Sequence, residues 1–269
     1  MLELSAETSS ARVVKGLASY CIPDYYGSKA SLLAVAGKLA QNCNDITCTL
    51  VCRGLKTAAA AKKKLRNIAK IREVKTILAV TGDKASESDI AVFDLIRSVD
   101  KRRFQAAAAI VFTRKNEARR IMKKAGAGAA VFYTQPVFPE NASQLPSLLK
   151  HLPSLQCKIR IGALIPFSAN ACRKIAAEKP DFIPESSFMA ELATAENKGP
   201  VEAYNATVKI AKSNLRVALR LAAVINANKK NTCEVTGVHF FGLEDRAFGT
   251  GQRAVYISAQ QLLDDVMNR

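Results

Sequence analysis

Polar residues that could do chemistry recur in this chain at one kind of place, the end of a short apolar run. Glu7 closes "LELSAE", Asp24, Tyr25 and Tyr26 follow "SYCIP", and Thr49 lies in "DITCTLVC". Thr81, Gly82 and Asp83 end "KTILAVTGD", and Thr134 and Gln135 end "AAVFYTQ". His239 precedes Glu244, Asp245 and Arg246 in "VTGVHFFGLEDR". A carboxyl in such a position can hold or move a proton, and burial raises its pKa towards neutrality. Glutamine offers a donor and an acceptor together, and one closing an apolar strand is unusual. His239 alternates with Val238 and Phe240, so it points to one side of its strand. A packed, hydrogen-bonded imidazole facing the interior is expected there, with the loop from Glu244 to Arg246 the better functional candidate.

The elements that must position these groups alternate strand and helix. β-rich runs cover 2–7, 19–23, 45–52, 75–82, 106–112, 129–135, 158–166 and 235–243. Helical stretches cover 29–41, 56–73, 86–99, 114–125, 140–150, 169–178 and 201–228, several with capping or stop signals. That pattern predicts an α/β fold, a single (β/α)8 TIM-type barrel over residues 1–269, with active-site groups at the C-terminal ends of the strands. The first helix is expected to be shortened to "ARVVKGL" or lost, because the first two strands lie so close in sequence. No Gly-x-Gly-x-x-Gly follows a strand, and "GAGAA" at 126–130 precedes one, so it reads as a helix stop. Residues 176–204 read as a longer excursion before the last helix.

With 269 residues, 49% of them hydrophobic, the chain can bury one large core. No apolar run approaches the roughly 20 residues that span a bilayer, so no membrane partner is expected. The start lacks a secretory pattern and carries two glutamates in its first seven residues, so a cytoplasmic location is expected. Seven cysteines form no C-x-x-C pair and only two histidines accompany them, so no metal is expected and the thiols read as small core residues. The net charge is +17, which attracts phosphates, acidic partners and nucleic acid. The basic residues lie in "AAAAKKKLRNIAKIREVK", "DKRRF", "RKNEARRIMKK" and "NANKKN", which read as solvated helix faces. No recognition motif with interleaved aromatics appears, so nucleic-acid binding is not expected.

Taken in order along the chain, these segments resemble the methylenetetrahydrofolate reductases, flavin-dependent barrels of one-carbon metabolism. "ILAVTGD" (77–83) resembles that family's "LALTGD" strand end, and "KKAGAGAAVFYTQPVF" (123–138) its helix-to-strand turn. "IRIGALIPFSANACRKIAAE" (159–178), "VTGVHFFGLED" (235–245) and the "LSAE" start resemble further segments.

The resemblance implies an oxidoreductase that reduces 5,10-methylene-tetrahydrofolate, or a related tetrahydropterin, to the 5-methyl form with FAD. It further implies NAD(P)H or an electron-donating partner subunit, and is compatible with a homo-oligomer. Glu7 matches the acid that protonates the departing ring nitrogen, and Asp83 a carboxylate beside flavin and pterin. Gln135 matches a glutamine on the substrate ring, and Arg246 a substrate-binding arginine. Lys124 matches a basic residue on the flavin phosphates, and Tyr25 and Tyr26 residues flanking the isoalloxazine. Thr49 and Thr81 stand where many members carry histidine and arginine, with Gly82 beside them in the cofactor set. Those departures, and "TSS" in place of a proline pair after the first strand, weaken the expected flavin grip. They leave a flavin-independent reductase open. The alternative from another class is a non-catalytic, basic barrel that binds an acidic partner or nucleic acid.

Overall fold

The computed structural model describes residues 2–3, 19–22, 31–82, 88–152, 154–178, 182, 187–228, 232–242, 246–248 and 255–267. Eight parallel strands appear in chain order: β1 (Leu2–Glu3), β2 (Tyr20–Ile22), β3 (Ile46–Val51), β4 (Val74–Val80), β5 (Gln105–Ile110), β6 (Val131–Pro136), β7 (Cys157–Leu164) and β8 (Cys233–Phe241). Strands β2 to β8 form a curled sheet. The two-residue β1 joins its edges, pairing Leu2 with Tyr20 on one side and with Phe240 on the other. The architecture is a TIM-like α/β barrel. The expected short first helix lies at residues outside those described.

Helices cover the outside of the sheet: α1 (Leu32–Leu39), α2 (Ala58–Ala69), α3 (Val92–Ser98), α4 (Glu117–Gly126), α5 (Gln144–Leu149), α6 (Ala169–Glu178), α7 (Ser187–Lys198) and α8 (Pro200–Ala227). Local chemistry starts them where the sequence says they should. Ser31 Oγ accepts the Ala34 N–H ahead of α1, and Thr57 Oγ1 accepts the Ala60 N–H ahead of α2, each satisfying an otherwise orphaned donor. In α2 the buried Ala61, Leu65 and Ile68 fall on one helical stripe, which turns the neighbouring lysines outward. The main core lies between the sheet and this helix layer. It draws Ile46, Cys48 and Leu50 from β3, Ile77 and Ala79 from β4, and Ile159 and Ile161 from β7. The alternate residues of the same strands face inward.

Three features go beyond the sequence reading. The excursion at 176–204 contains a full helix, α7. After β8 come a two-stranded antiparallel sheet, β9 (Arg246–Phe248) with β10 (Val255–Ile257), and a last helix, α9 (Ala259–Met267). All seven cysteines are free and buried, and those of Cys157 and Cys233 approach to 3.0 Å where β7 and β8 begin. Among the described residues no helix is long and apolar enough to cross a membrane, and no group of three or more potential ligands gathers for a metal.

Candidate functional site

The barrel interior sets polar groups beside a small apolar cluster of Cys21, Leu78, Ala107, Val131 and Tyr133, whereas barrels of this type are commonly filled by layers of bulky branched side chains. At the end where the strands start, Arg160 on β7 donates to Ser19 Oγ at 3.0 Å and lies 4.0 Å from the Asp45 carboxylate. Its guanidinium also sits over the Tyr133 ring, 5.5 Å from the centroid. Burial pushes the Asp45 pKa up, and Arg160 pulls it part of the way back. One step further in, the Tyr133 hydroxyl on β6 meets Thr47 Oγ1 on β3 at 3.2 Å, a hydrogen bond spanning the interior between non-adjacent strands. Burial is the main reason the Tyr133 pKa lies well above its usual value, so the phenol keeps its proton.

His239, 2% exposed, packs next, edge-on to Tyr133 at 5.5 Å and to Phe241 at 4.2 Å between centroids. The expected inward-facing, packed imidazole is what the strand delivers. Beside β2, Thr49 Oγ1 contacts Cys21 Sγ at 3.2 Å.

Towards the strand ends lies Gln135, 3% exposed, the most informative of the sequence-derived candidates. Its amide Nε2 donates to Thr113 Oγ1 at 3.2 Å, and its Oε1 lies 3.4 Å from the same hydroxyl. A break in the β6–β7 register between Tyr133 and Pro136 sets this residue. Thr134 turns the other way and takes the Gly162 N–H at 2.9 Å, so the ladder is satisfied where its register shifts. Gly162 is required here, because a Cβ would fall 2.7 Å from both the Gln135 carbonyl oxygen and the Phe241 ring. The same end of β4 turns at Gly82, whose φ of +81° favours glycine. A Cβ on Gly82 would meet the Val51 side chain at 3.2 Å, which places Thr81 and Gly82 on the rim beside β3.

The structure therefore sorts the candidates into groups. Thr81 and Gly82 belong to the β3–β4 side of the mouth, Thr49 lies two residues below the end of β3 beside Cys21, and Gln135 with Thr113 belongs to the β5–β6 side. Glu7, Tyr25, Tyr26 and Asp83 lie outside the described residues, as does the side chain of Arg246, whose backbone opens β9.

Lys124 requires a correction. It was expected on cofactor phosphates, yet it is 5% exposed within the helix layer. Its Nζ donates to the Ala109 carbonyl at 2.5 Å and to Glu117 Oε1 at 2.8 Å. Glu117 also accepts the Val111 N–H at 3.3 Å, so the pair ties the loop after β5 to α4. Burial holds the Lys124 pKa below its usual value, with Glu117 pulling it back up. The signal was present in the sequence: Glu117, Ile121 and Lys124 recur at the spacing of one helix face, and all three are buried. Tyr133, Thr47, Thr113 and Arg160 were not singled out. The alternation of Val131, Tyr133 and Gln135 on one face of β6 was the clue to the first of them.

No protein-family model matches the sequence, and no curated protein matches it as a relative. Solved structures do resemble it. One is an uncharacterized protein from Clostridium thermocellum, described as binding two copies of 5-methyl-5,6,7,8-tetrahydrofolic acid. It superposes with a TM-score of 0.51 at 11% identity, over 83% of this chain and 88% of that one. At that identity the likeness is one of fold.

Proposed function

We propose that this chain binds a reduced pterin of the tetrahydrofolate type at the C-terminal mouth of its barrel, with Gln135 reading the ring. The observation that carries the reading is the buried amide of Gln135 at the end of β6, oriented by Thr113 and backed by Gly162. An oriented amide can meet the adjacent donor and acceptor of a pterin edge at once. The ligand described for the similarly folded Clostridium thermocellum protein supports the same ligand class.

The finer proposal is reduction of the 5,10-methylene form to the 5-methyl form by one (β/α)8 domain spanning residues 1–269. Glu7 would place a proton on the departing nitrogen, and Asp83 would set a carboxylate beside the transient cation. Arg246 would hold the substrate. FAD is proposed on the resemblance alone, with NAD(P)H or a partner subunit as electron source. Thr81 and Gly82 offer a rim for a flat ring, with Thr49 beneath it, but Lys124 does not fit the phosphates, so no step is derived through the flavin. That misfit favours a second reading, a pterin-binding barrel that works without flavin.

Calorimetric titration with 5-methyl-tetrahydrofolate tests the first level. Micromolar binding is expected, and Gln135→Leu should weaken it at least about tenfold, since a buried hydrogen-bonding pair is lost. Equal affinity in the variant would remove Gln135 from the site, and no binding would remove the pterin. An absorption spectrum taken with added FAD then separates the flavin-dependent reading from the flavin-free one.

A further inference from the structure

The net charge is concentrated in one part of the chain. Residues 53–124 hold 20 of the 40 basic residues but only seven of the 23 acidic ones, so this stretch carries +13 of the net +17. In the fold that stretch supplies three consecutive helices on one flank of the barrel, with α2 packed against α3 and α3 against α4. The two outer helices each present an exposed basic row. On α2 it is Lys62, Lys63, Arg66 and Lys70, and on α4 and its approach it is Lys115, Arg119 and Lys123. Among the described residues no carboxylate pairs with any of these seven. The described ion pairs of this stretch are made elsewhere, by Lys56 with Asp89, Arg72 with Glu73, Arg97 with Asp94, Arg102 with Asp100, and Glu117 with Arg120 and Lys124.

We propose that this α2–α4 flank is a docking surface for the phosphate backbone of a nucleic-acid duplex, bound without sequence preference. Residues three and four apart on a helix lie about 5–6 Å from each other, so the α2 row is a ladder of cations, and Arg119 with Lys123 forms a shorter one on α4, with Lys115 on the approach before it. A helix the length of α2 runs about 18 Å, and duplex DNA carries one charge per about 1.7 Å of its axis. That length of duplex carries on the order of ten phosphates on its two strands, of which about half turn towards the flank, enough to engage both rows. Its chemistry fits a polyanion better than a protein. Met122 is the only large hydrophobic side chain exposed on it among the described residues, whereas protein interfaces centre on apolar and aromatic anchors. Stable attachment to a membrane takes an apolar insertion beside such a basic patch.

The test is fluorescence anisotropy with a labelled 20-base-pair RNA duplex, using the full chain in 50 to 200 mM salt. With about six phosphate contacts the affinity should fall about 10³-fold across that range. The variant Lys63→Glu/Arg66→Glu/Arg119→Glu/Lys123→Glu should bind at least about tenfold more weakly at 100 mM salt and show a shallower salt slope. A control with equal charge change on other helices, Arg173→Glu/Lys198→Glu/Arg216→Glu/Arg220→Glu, should lose less than about threefold. Equal losses in the two variants would mean that the charge acts diffusely, and the docking surface would be rejected. Binding of poly-glutamate at 100 mM salt with none of RNA would assign the flank to an acidic protein and overturn the proposal. Titration of both variants with 5-methyl-tetrahydrofolate keeps this result separate from the pterin reading.

Discussion

Lys124 and Gln135 are both polar, both buried, and both were expected at the mouth of the barrel, yet the fold uses them in different ways. Gln135 ends a strand and faces the interior, whereas Lys124 lies on the buried stripe of α4 and is committed to Glu117. Breaking a buried ion pair from one side leaves an uncompensated charge, which costs about 3–5 kcal/mol, while replacing both partners with neutral groups is often close to harmless. Lys124→Met leaves Glu117 paired with Arg120 alone, 3.4 Å away and partly exposed, so it is expected to destabilise the protein by about 3 kcal/mol, the low end of that range, in urea unfolding. Adding Glu117→Gln to it should recover most of that loss. If the single variant proves as stable as the wild type, the pair contributes nothing net and Lys124 is available for another role.

At the scale of elements, the site depends on how β6, β7 and β8 approach one another. Thr134 satisfies the Gly162 N–H at the register break, and Gly162 lets the Gln135 backbone and the Phe241 ring close in. Gly162→Ala forces a methyl group into a space bounded by a carbonyl oxygen and a ring at 2.7 Å. Overpacking of this kind costs about 1–3 kcal/mol. The substitution should lower the free energy of unfolding by that amount and, on the proposed function, weaken pterin binding by displacing Gln135. Gly237→Ala on the neighbouring strand, where a Cβ meets nothing within 4 Å, is the matched control and should leave binding intact. A Gly162→Ala protein with wild-type stability would mean that β7 shifts freely beneath Gln135.

For the whole molecule, a net charge of +17 on 269 residues implies self-repulsion, greatest on the α2–α4 flank. Salt screens exposed charges over about 10 Å at 0.1 M. Raising sodium chloride from 20 to 200 mM should therefore raise Tm by a few degrees, about the shift that 1 kcal/mol produces in a domain of this size. The four-site reversal on the flank should shrink that salt response more than the control reversal does. A Tm that falls with salt would mean that ion pairs, such as Lys56 with Asp89, outweigh the repulsion.

The alternation of apolar runs with amphipathic stretches was enough to place seven of the barrel strands and most helices, because periods of two and 3.6 are local properties of the chain. The ends of β4, β6 and β8 were legible for the same reason, and so was the inward face of His239. What the local pattern could not decide was how far a side chain's partners lie along the sequence. Tyr133 finds Thr47 and Arg160 finds Ser19 only because the sheet curls, bringing together residues separated by 86 and 141 positions. Helix α7 was missed because its own periodicity is weak, and the β9–β10 pair because three residues are too few to show a period. Lys124 was misread because a resemblance of segments conveys residue type and order, whereas burial against Glu117 arises from the packing of α4 on the sheet. Likewise the sequence concentrates the basic residues in 53–124 but spreads them over several segments, which become one flank only when successive βα units set α2, α3 and α4 side by side.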